Sequence, residues 1–165
     1  MSAETPGVPV AEDLFEQGAD GVGLIGTRCA GCGAHYFPVS LSCRNPVCDD
    51  KRTVRTTLGR TGTLYSWTVQ HYRPPALYRA DEWEPYAVGL VEVPEGLRVL
   101  AKLIGRDTDA LEVGMPVRLV TSPLYTDADG RRVDTYAYEI TGDGIGAGGG
   151  SGSPGPASST DGPRA

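Results

Sequence analysis

The chain has little of what enzymes commonly use. Of its 165 residues, two are histidine (His35 and His71) and four are cysteine. No apolar run approaches the length of a membrane span, so no membrane association is expected. Positive charge is also scarce: 15 Lys and Arg stand against 21 Asp and Glu, a net charge of −6. Nucleic-acid affinity rests on neutralising phosphates, so this balance opposes a nucleic-acid partner. Met1–Pro6 carries neither a basic region nor an apolar run. No secretory signal is therefore expected, and the thiols are expected to stay reduced in the cytoplasm. Ser66 lies inside a strand pattern and lacks the glycine-flanked turn that exposes a hydrolase nucleophile. The chain has no internal repeat.

What is present is concentrated. All four cysteines fall within twenty residues, as Cys29-Ala-Gly-Cys32 and Cys43-Arg-Asn-Pro-Val-Cys48. Pairs separated by two and by four residues suit a tetrahedral four-thiolate zinc site built on two tight turns. Gly31 and Gly33 flank Cys32 and let the chain turn sharply, so that amides point at the sulfurs. Two disulfides are the competing reading, and the expected reducing compartment opposes them. A rubredoxin-like iron site uses the same ligands and stays open at this point. Four cysteines complete the coordination, so His35 reads as a surface residue.

The rest reads as mainly β. Residues 1–23 form an N-terminal segment, disordered to residue 10 and then carrying a short helix at 11–17. Its two apolar residues, Leu14 and Phe15, are expected to contact a partner or the zinc module. A zinc ribbon follows at 24–55, where Leu24–Arg28 runs into the first cysteine turn and Tyr36–Pro38 returns from it. Asp49–Arg55 is read as a polar connector. From 59 to 141 the period becomes two, with strands near Thr63–Val69, Tyr86–Val93, Leu97–Ile104, Val117–Ser122 and Val133–Ile140. Thr63, Tyr65 and Trp67 are assigned to the core. Five short strands with turn signals at Pro94-Glu95-Gly96 and Ala128-Asp129-Gly130 suggest a five-stranded OB-fold barrel, with a small sandwich as the alternative. Residues 142–165, rich in Gly, Ser and Pro, are expected to be a disordered tail because they bury too little to offset chain entropy.

The segment between the first two barrel strands, Gln70–Pro85, is long for a compact domain. It holds His71, Tyr72, Arg73, Tyr78 and Trp83, the composition of a binding surface. His71 is read as a solvated loop residue in preference to an acid–base group. The chain offers no free nucleophilic cysteine, and a closed four-thiolate metal has no open position for water. The expectation is a chain with no catalytic residues of its own.

These residues together resemble a known family: small proteins that join a rubredoxin-like zinc ribbon to an OB fold and accompany thiolases. The resemblance spans about residues 11–141, over the short helix around Asp13-Leu14-Phe15, Arg28-Cys29-x-x-Cys32-Gly33, Tyr36-Phe37-Pro38, the second cysteine pair, Gly62–Val69, Pro85–Glu92, the Glu95-Gly96 turn and Gly114-Met115-Pro116-Val117. One departure is the second cysteine pair, where the family pattern has two intervening residues and this chain has four. The resemblance implies an accessory subunit of a thiolase, or of a lipid-transfer-protein-like aldolase that shortens steroid side chains. It implies one structural zinc and an acyl-CoA near the interface with the catalytic partner. Lys51, Arg52, Arg55 and Arg60 are then candidates for the CoA phosphates. Two other functions remain in view: a single-stranded nucleic-acid-binding module and a free-standing acyl-CoA carrier.

Overall fold

The computed structural model describes residues 7–76 and 79–143. Tyr78 and, from residue 144 onward, the expected tail lie outside the described residues. The chain forms ten strands among them: β1 (Val8–Pro9), β2 (Phe15–Gly18), β3 (Gly21–Cys29), β4 (His35–Tyr36), β5 (Thr53–Thr57), β6 (Thr61–Gln70), β7 (Tyr86–Glu92), β8 (Arg98–Ile104), β9 (Pro116–Thr126) and β10 (Arg132–Ile140).

Strands β6 to β10 close a barrel. Hydrogen-bonded neighbours run β10-β8-β7-β6-β9, and β9 pairs back onto β10 to complete the circuit. Four junctions are antiparallel, while β8 and β10 are parallel and paired only at Lys102–Ile104 with Ala137–Glu139. Toward the start of β8 the two strands separate. The Tyr136 hydroxyl bridges part of that gap by donating to the Leu100 carbonyl at 3.0 Å. The expected five-stranded barrel therefore forms, and the sandwich alternative does not.

Strand β6 corrects one expectation. Its register against β7 shifts between Leu64 and Ser66, leaving Tyr65 as an extra residue in a bulge. A bulge inverts the facing of the residues beyond it, so strict alternation fails across this strand. Leu64 is fully buried, whereas Thr63 is exposed and Tyr65 is 45% exposed. Of the three residues assigned to the core, only Trp67 packs partly against it. The Tyr65 ring instead faces outward beneath the Arg98 guanidinium, 3.5 Å from its centroid.

The N-terminal segment departs further. No helix forms at 11–17. Asp13 takes a positive φ of 58°, which ends any right-handed turn. Phe15–Gly18 then pairs with Gly21–Leu24 in an antiparallel hairpin. A helix this short nucleates poorly, and the ribbon edge satisfies the same backbone groups at once. Leu14 and Phe15 are 8% and 3% exposed and belong to the main core, so they present no face to a partner. The segment expected to be disordered to residue 10 is also anchored where it is described. Val8–Pro9 lies parallel to Val133–Asp134. Asp134, 1% exposed, accepts from the Gly7 amide at 3.2 Å and from Arg132 Nε at 2.9 Å.

The expected polar connector contains another strand. Thr53–Thr57 pairs antiparallel with Ile25–Cys29. It has no apolar alternation because it is an edge with little to bury, which is why its sequence reads as loop. Leu58 follows, buried, and leads into the barrel.

Barrel and ribbon share one core. Leu14, Phe15, Val22, Leu24 and Leu58 cluster with Leu64, Val91, Val99, Val117 and Tyr138. Aromatic edges join the two as well: Tyr136 meets Phe15 at 6.4 Å and Phe37 at 5.6 Å between centroids, both edge-on. Such pairs add roughly 0.5–1.5 kcal/mol beyond the area they bury.

Candidate metal centre

The four cysteines converge where β3 ends. The Cys29 and Cys48 sulfurs lie 3.7 Å apart and those of Cys32 and Cys43 3.6 Å apart. All four fall within 4.8 Å of one another. A disulfide would need about 2.05 Å. A tetrahedron with metal–sulfur bonds of about 2.3 Å has edges near 3.8 Å, close to what is seen. The donor set fits one zinc ion, and zinc is its structural cofactor. His35 is outside the cluster, half-buried in β4.

Local sequence builds the two turns. In the first, the Gly33 amide donates to the Cys29 carbonyl at 3.1 Å and the Cys32 amide reaches the Cys29 sulfur at 3.5 Å. Gly33 has a φ of +75°, a region where a Cβ is penalised. Gly31 is required for a different reason: a Cβ there would sit 2.8 Å from the Asp50 side chain and 3.0 Å from the Cys48 sulfur. In the second turn, Asn45 absorbs the two additional residues. Its carbonyl accepts from the Cys48 amide at 3.2 Å and its side chain accepts from the Val47 amide at 3.2 Å. The wider spacing thus changes the loop and leaves the sulfur cluster intact.

The surroundings differentiate the thiols. The Tyr36 hydroxyl, 3.2 Å from the Cys43 sulfur, holds that thiol down at about 6. The Ala34 backbone lowers Cys32. Burial pushes the Cys48 thiol up to about 12. The Cys29 and Cys48 sulfurs lie 3.2 and 3.1 Å from the Asp50 carbonyl oxygen. Ligation by a metal requires each thiol in its ionised form, so zinc binding displaces these protons. With four sulfurs as ligands no position is left for water or substrate, so the centre serves as a staple.

The four cations expected near the CoA phosphates each have a local partner in the free chain. Arg52 pairs with Asp50 at 2.7 Å and Arg55 with Asp13 at 2.6 Å, while Lys51 and Arg60 contact the carbonyls of Asn45 and Asp20. Each cation is exposed or half-buried.

A second feature lies on the barrel, and sequence reasoning reached only its rim. A groove of roughly 700 Å³ opens where β8 and β10 separate, under the described residues of the 71–85 loop. Tyr72, Trp83 and Tyr86 line it with Leu100, Leu124 and Tyr136. The loop is fastened over it by Asp81, whose amide donates to the Leu124 carbonyl at 3.3 Å and whose carboxylate accepts from the Thr126 amide at 3.0 Å. His71 and Arg73 are exposed in the same loop and do not line the groove. Among the described residues, the buried Trp83 Nε1–H has no acceptor. Period-two patterning marks Leu100 and Tyr136 as strand residues and cannot show that their strands part.

The four-sulfur staple and the closed five-stranded barrel define a zinc-ribbon/OB-fold protein. Among the described residues, no other group of His, Cys, Asp or Glu is placed to hold a metal, and no helix is long and apolar enough to cross a membrane. The chain belongs to the ChsH2 (DUF35) family: residues 23–54 match the ChsH2 rubredoxin-like zinc ribbon domain and 55–122 the ChsH2 C-terminal OB-fold domain. It is 31% identical over 117 residues to a DUF35 domain-containing scaffold protein of Methanocaldococcus jannaschii, covering 70% of this chain and 79% of that one. It is 36% identical over 128 residues to the benzoylsuccinyl-CoA thiolase subunit BbsA of Thauera aromatica, covering 76% and 83% respectively. Among solved structures, a chain of the Ltp2-ChsH2(DUF35) aldolase is similar at 34% identity with a TM-score of 0.50, covering 68% of this chain and 84% of that one.

Proposed function

We propose that this chain is a non-catalytic scaffold subunit that docks on a thiolase-fold or lipid-transfer-protein-like enzyme, supports its assembly and helps bind its acyl-CoA substrate. The reading rests on one observation above all: the only preorganised metal centre among the described residues is closed. Relatives that share both modules are named as a scaffold protein and as a subunit of a thiolase, and the similar solved structure is of an aldolase. Those names support a thiolase or an aldolase as the partner; that it acts on a sterol, lipid or aromatic side chain is part of the proposal. The shared core of ribbon and barrel supports the same reading, because it presents both modules to a partner as one body. Of the residues first considered for contact, Tyr72 and Trp83 keep that role on the barrel. Lys51, Arg52 and Arg55 are occupied by Asn45, Asp50 and Asp13.

The test is affinity purification of the tagged chain from its native host, with mass spectrometry of what is retained. A thiolase-fold polypeptide in stoichiometric amount is expected, with acyl-CoA-cleaving activity in the complex and none in the isolated chain. Retention of no such polypeptide, or cleavage by the isolated chain, would contradict the proposal.

A further inference from the structure

We propose that the second cysteine turn, residues 41–48, is the element that enters the catalytic partner, and that it fits an apolar socket ringed by carboxylates. That there is a partner rests on the function proposed above; the chemistry of the surface is read from this chain. Leu41 is 95% exposed and Val47 84%, more than any other large apolar side chain among the described residues. One exposed aliphatic residue needs no explanation, but two on one turn do. Leu41 lies two residues before Cys43 and Val47 one before Cys48, and the sulfurs of those cysteines lie within 4.8 Å of each other. Both side chains are therefore tied to the same four-sulfur staple. Val47 belongs to the turn that the two additional residues enlarge. The turn is also held by its own contacts. The Asn45 side chain accepts from the Val47 amide at 3.2 Å, the Tyr36 hydroxyl accepts from the Arg44 amide at 3.0 Å, and Pro46 fixes its own φ. A loop ordered before it binds loses little freedom on binding, so the apolar residues it carries contribute nearly in full.

Charge sets the kind of surface that receives the turn. Residues 24–55 hold five cations, Arg28, Arg44, Lys51, Arg52 and Arg55, against Asp49 and Asp50, a net of +3. The rest of the chain carries −9, since the whole is −6. Arg52 and Arg55 are paired with carboxylates. Arg28, Arg44 and Lys51 are exposed, and among the described residues none of the three has a carboxylate partner. Lys51 donates to the Asn45 carbonyl, and the Arg44 guanidinium lies 5.7 Å from the Tyr36 ring centroid; neither contact cancels the charge. Carboxylates around an apolar floor complement the cations and the aliphatic tips together. The same carboxylates repel the acidic remainder of the chain, which orients the ribbon end toward the partner. A phosphate backbone would meet the cations and leave Leu41 and Val47 in water.

Calorimetry of the full-length, zinc-loaded chain against the purified catalytic subunit that co-purifies with it tests this. Leu41→Ser with Val47→Ser adds no charge and touches no buried side chain, so it should keep one zinc per chain. It should weaken binding at least about tenfold. Arg44→Glu should also keep zinc and weaken binding about fivefold at low salt, with the deficit shrinking at about 0.5 M salt. Val113→Ser, at an exposed position outside the ribbon, should leave the affinity unchanged. Full affinity in the double serine variant with zinc retained would overturn the inference and leave the docking proposal standing. So would tighter binding by Arg44→Glu, which would place cations in the socket. Binding of a single-stranded oligonucleotide that the parent shows and the double variant loses would overturn it as well. Failure of the parent chain to hold any thiolase-fold or aldolase subunit would remove the docking proposal and this inference together.

Discussion

The cysteine turns and the barrel solve the same problem by different means. Around the sulfurs the buried cluster is Cys29, Cys43 and Cys48, with only Ala34 and Tyr36 packed against it. The barrel core is continuous and includes fully buried Leu64, Val91, Tyr138 and Leu24. The turns therefore have too little apolar surface to fold by burial, and the metal supplies what packing cannot. The barrel needs no such help. The division also runs through the ribbon itself. Its hairpin, β2–β3, packs with the barrel, while the two turns beyond Cys29 rely on the metal.

The largest effect that can break this comparison comes from a ligand substitution. Cys29→Ser should abolish zinc, read by elemental analysis as a fall from one ion per chain to none, and with it capture of the thiolase-fold partner. Structural zinc is worth on the order of 10 kcal/mol in small modules. Loss of metal with full capture would show that the turns have no part in docking.

Next in size is a test of where the division falls. Leu24 belongs to the ribbon by position and to the barrel by packing. Leu24→Ala should cost about 2–5 kcal/mol in urea unfolding, as a barrel-core deletion does. A cost below about 1 kcal/mol would place the hairpin with the metal-dependent part.

A smaller effect is expected at Tyr138. Among the described residues, its buried hydroxyl has no hydrogen-bond partner. Tyr138→Phe should therefore be neutral or slightly stabilising in the same experiment, since no hydrogen bond is lost. A clear destabilisation would reveal a partner for the hydroxyl in solution.

The smallest effect concerns the β9–β10 turn and is visible only against pH. The Arg131 amide and guanidinium hold the Asp127 carboxyl below its ordinary value. Stabilisation from a depressed carboxyl is present above the unfolded-state pKa of about 3.9 and is lost as pH falls through the folded value. Asp127→Asn should accordingly be less stable than the parent at pH 7. The two thermal midpoints should converge as pH falls through the folded value. Parallel curves would remove the assignment.

Much of this is legible in the sequence because its chemistry is local. The cysteine spacing, the turns at Gly96 and Gly130, and the alternation of β8 each depend on residues near one another. What escaped depends on distant partners. Phe15 reads as helical until Leu24 is placed opposite it. Thr53–Thr57 reads as a connector because an edge strand needs no apolar face. Tyr65 points outward because a bulge shifts its register, which no alternation pattern encodes. The groove arises where two parallel strands part, and Gly7 is ordered by a buried carboxylate 127 positions away.

Hydrogen–deuterium exchange on the full-length chain, with zinc bound and after chelation, tests the central claim most directly. On removal of zinc, amides at residues 29–34 and 43–52 should lose protection. Strands β6 to β10 and the β2–β3 hairpin should keep theirs. Loss of protection throughout the barrel at the same time, or turns that stay protected without zinc, would contradict the account.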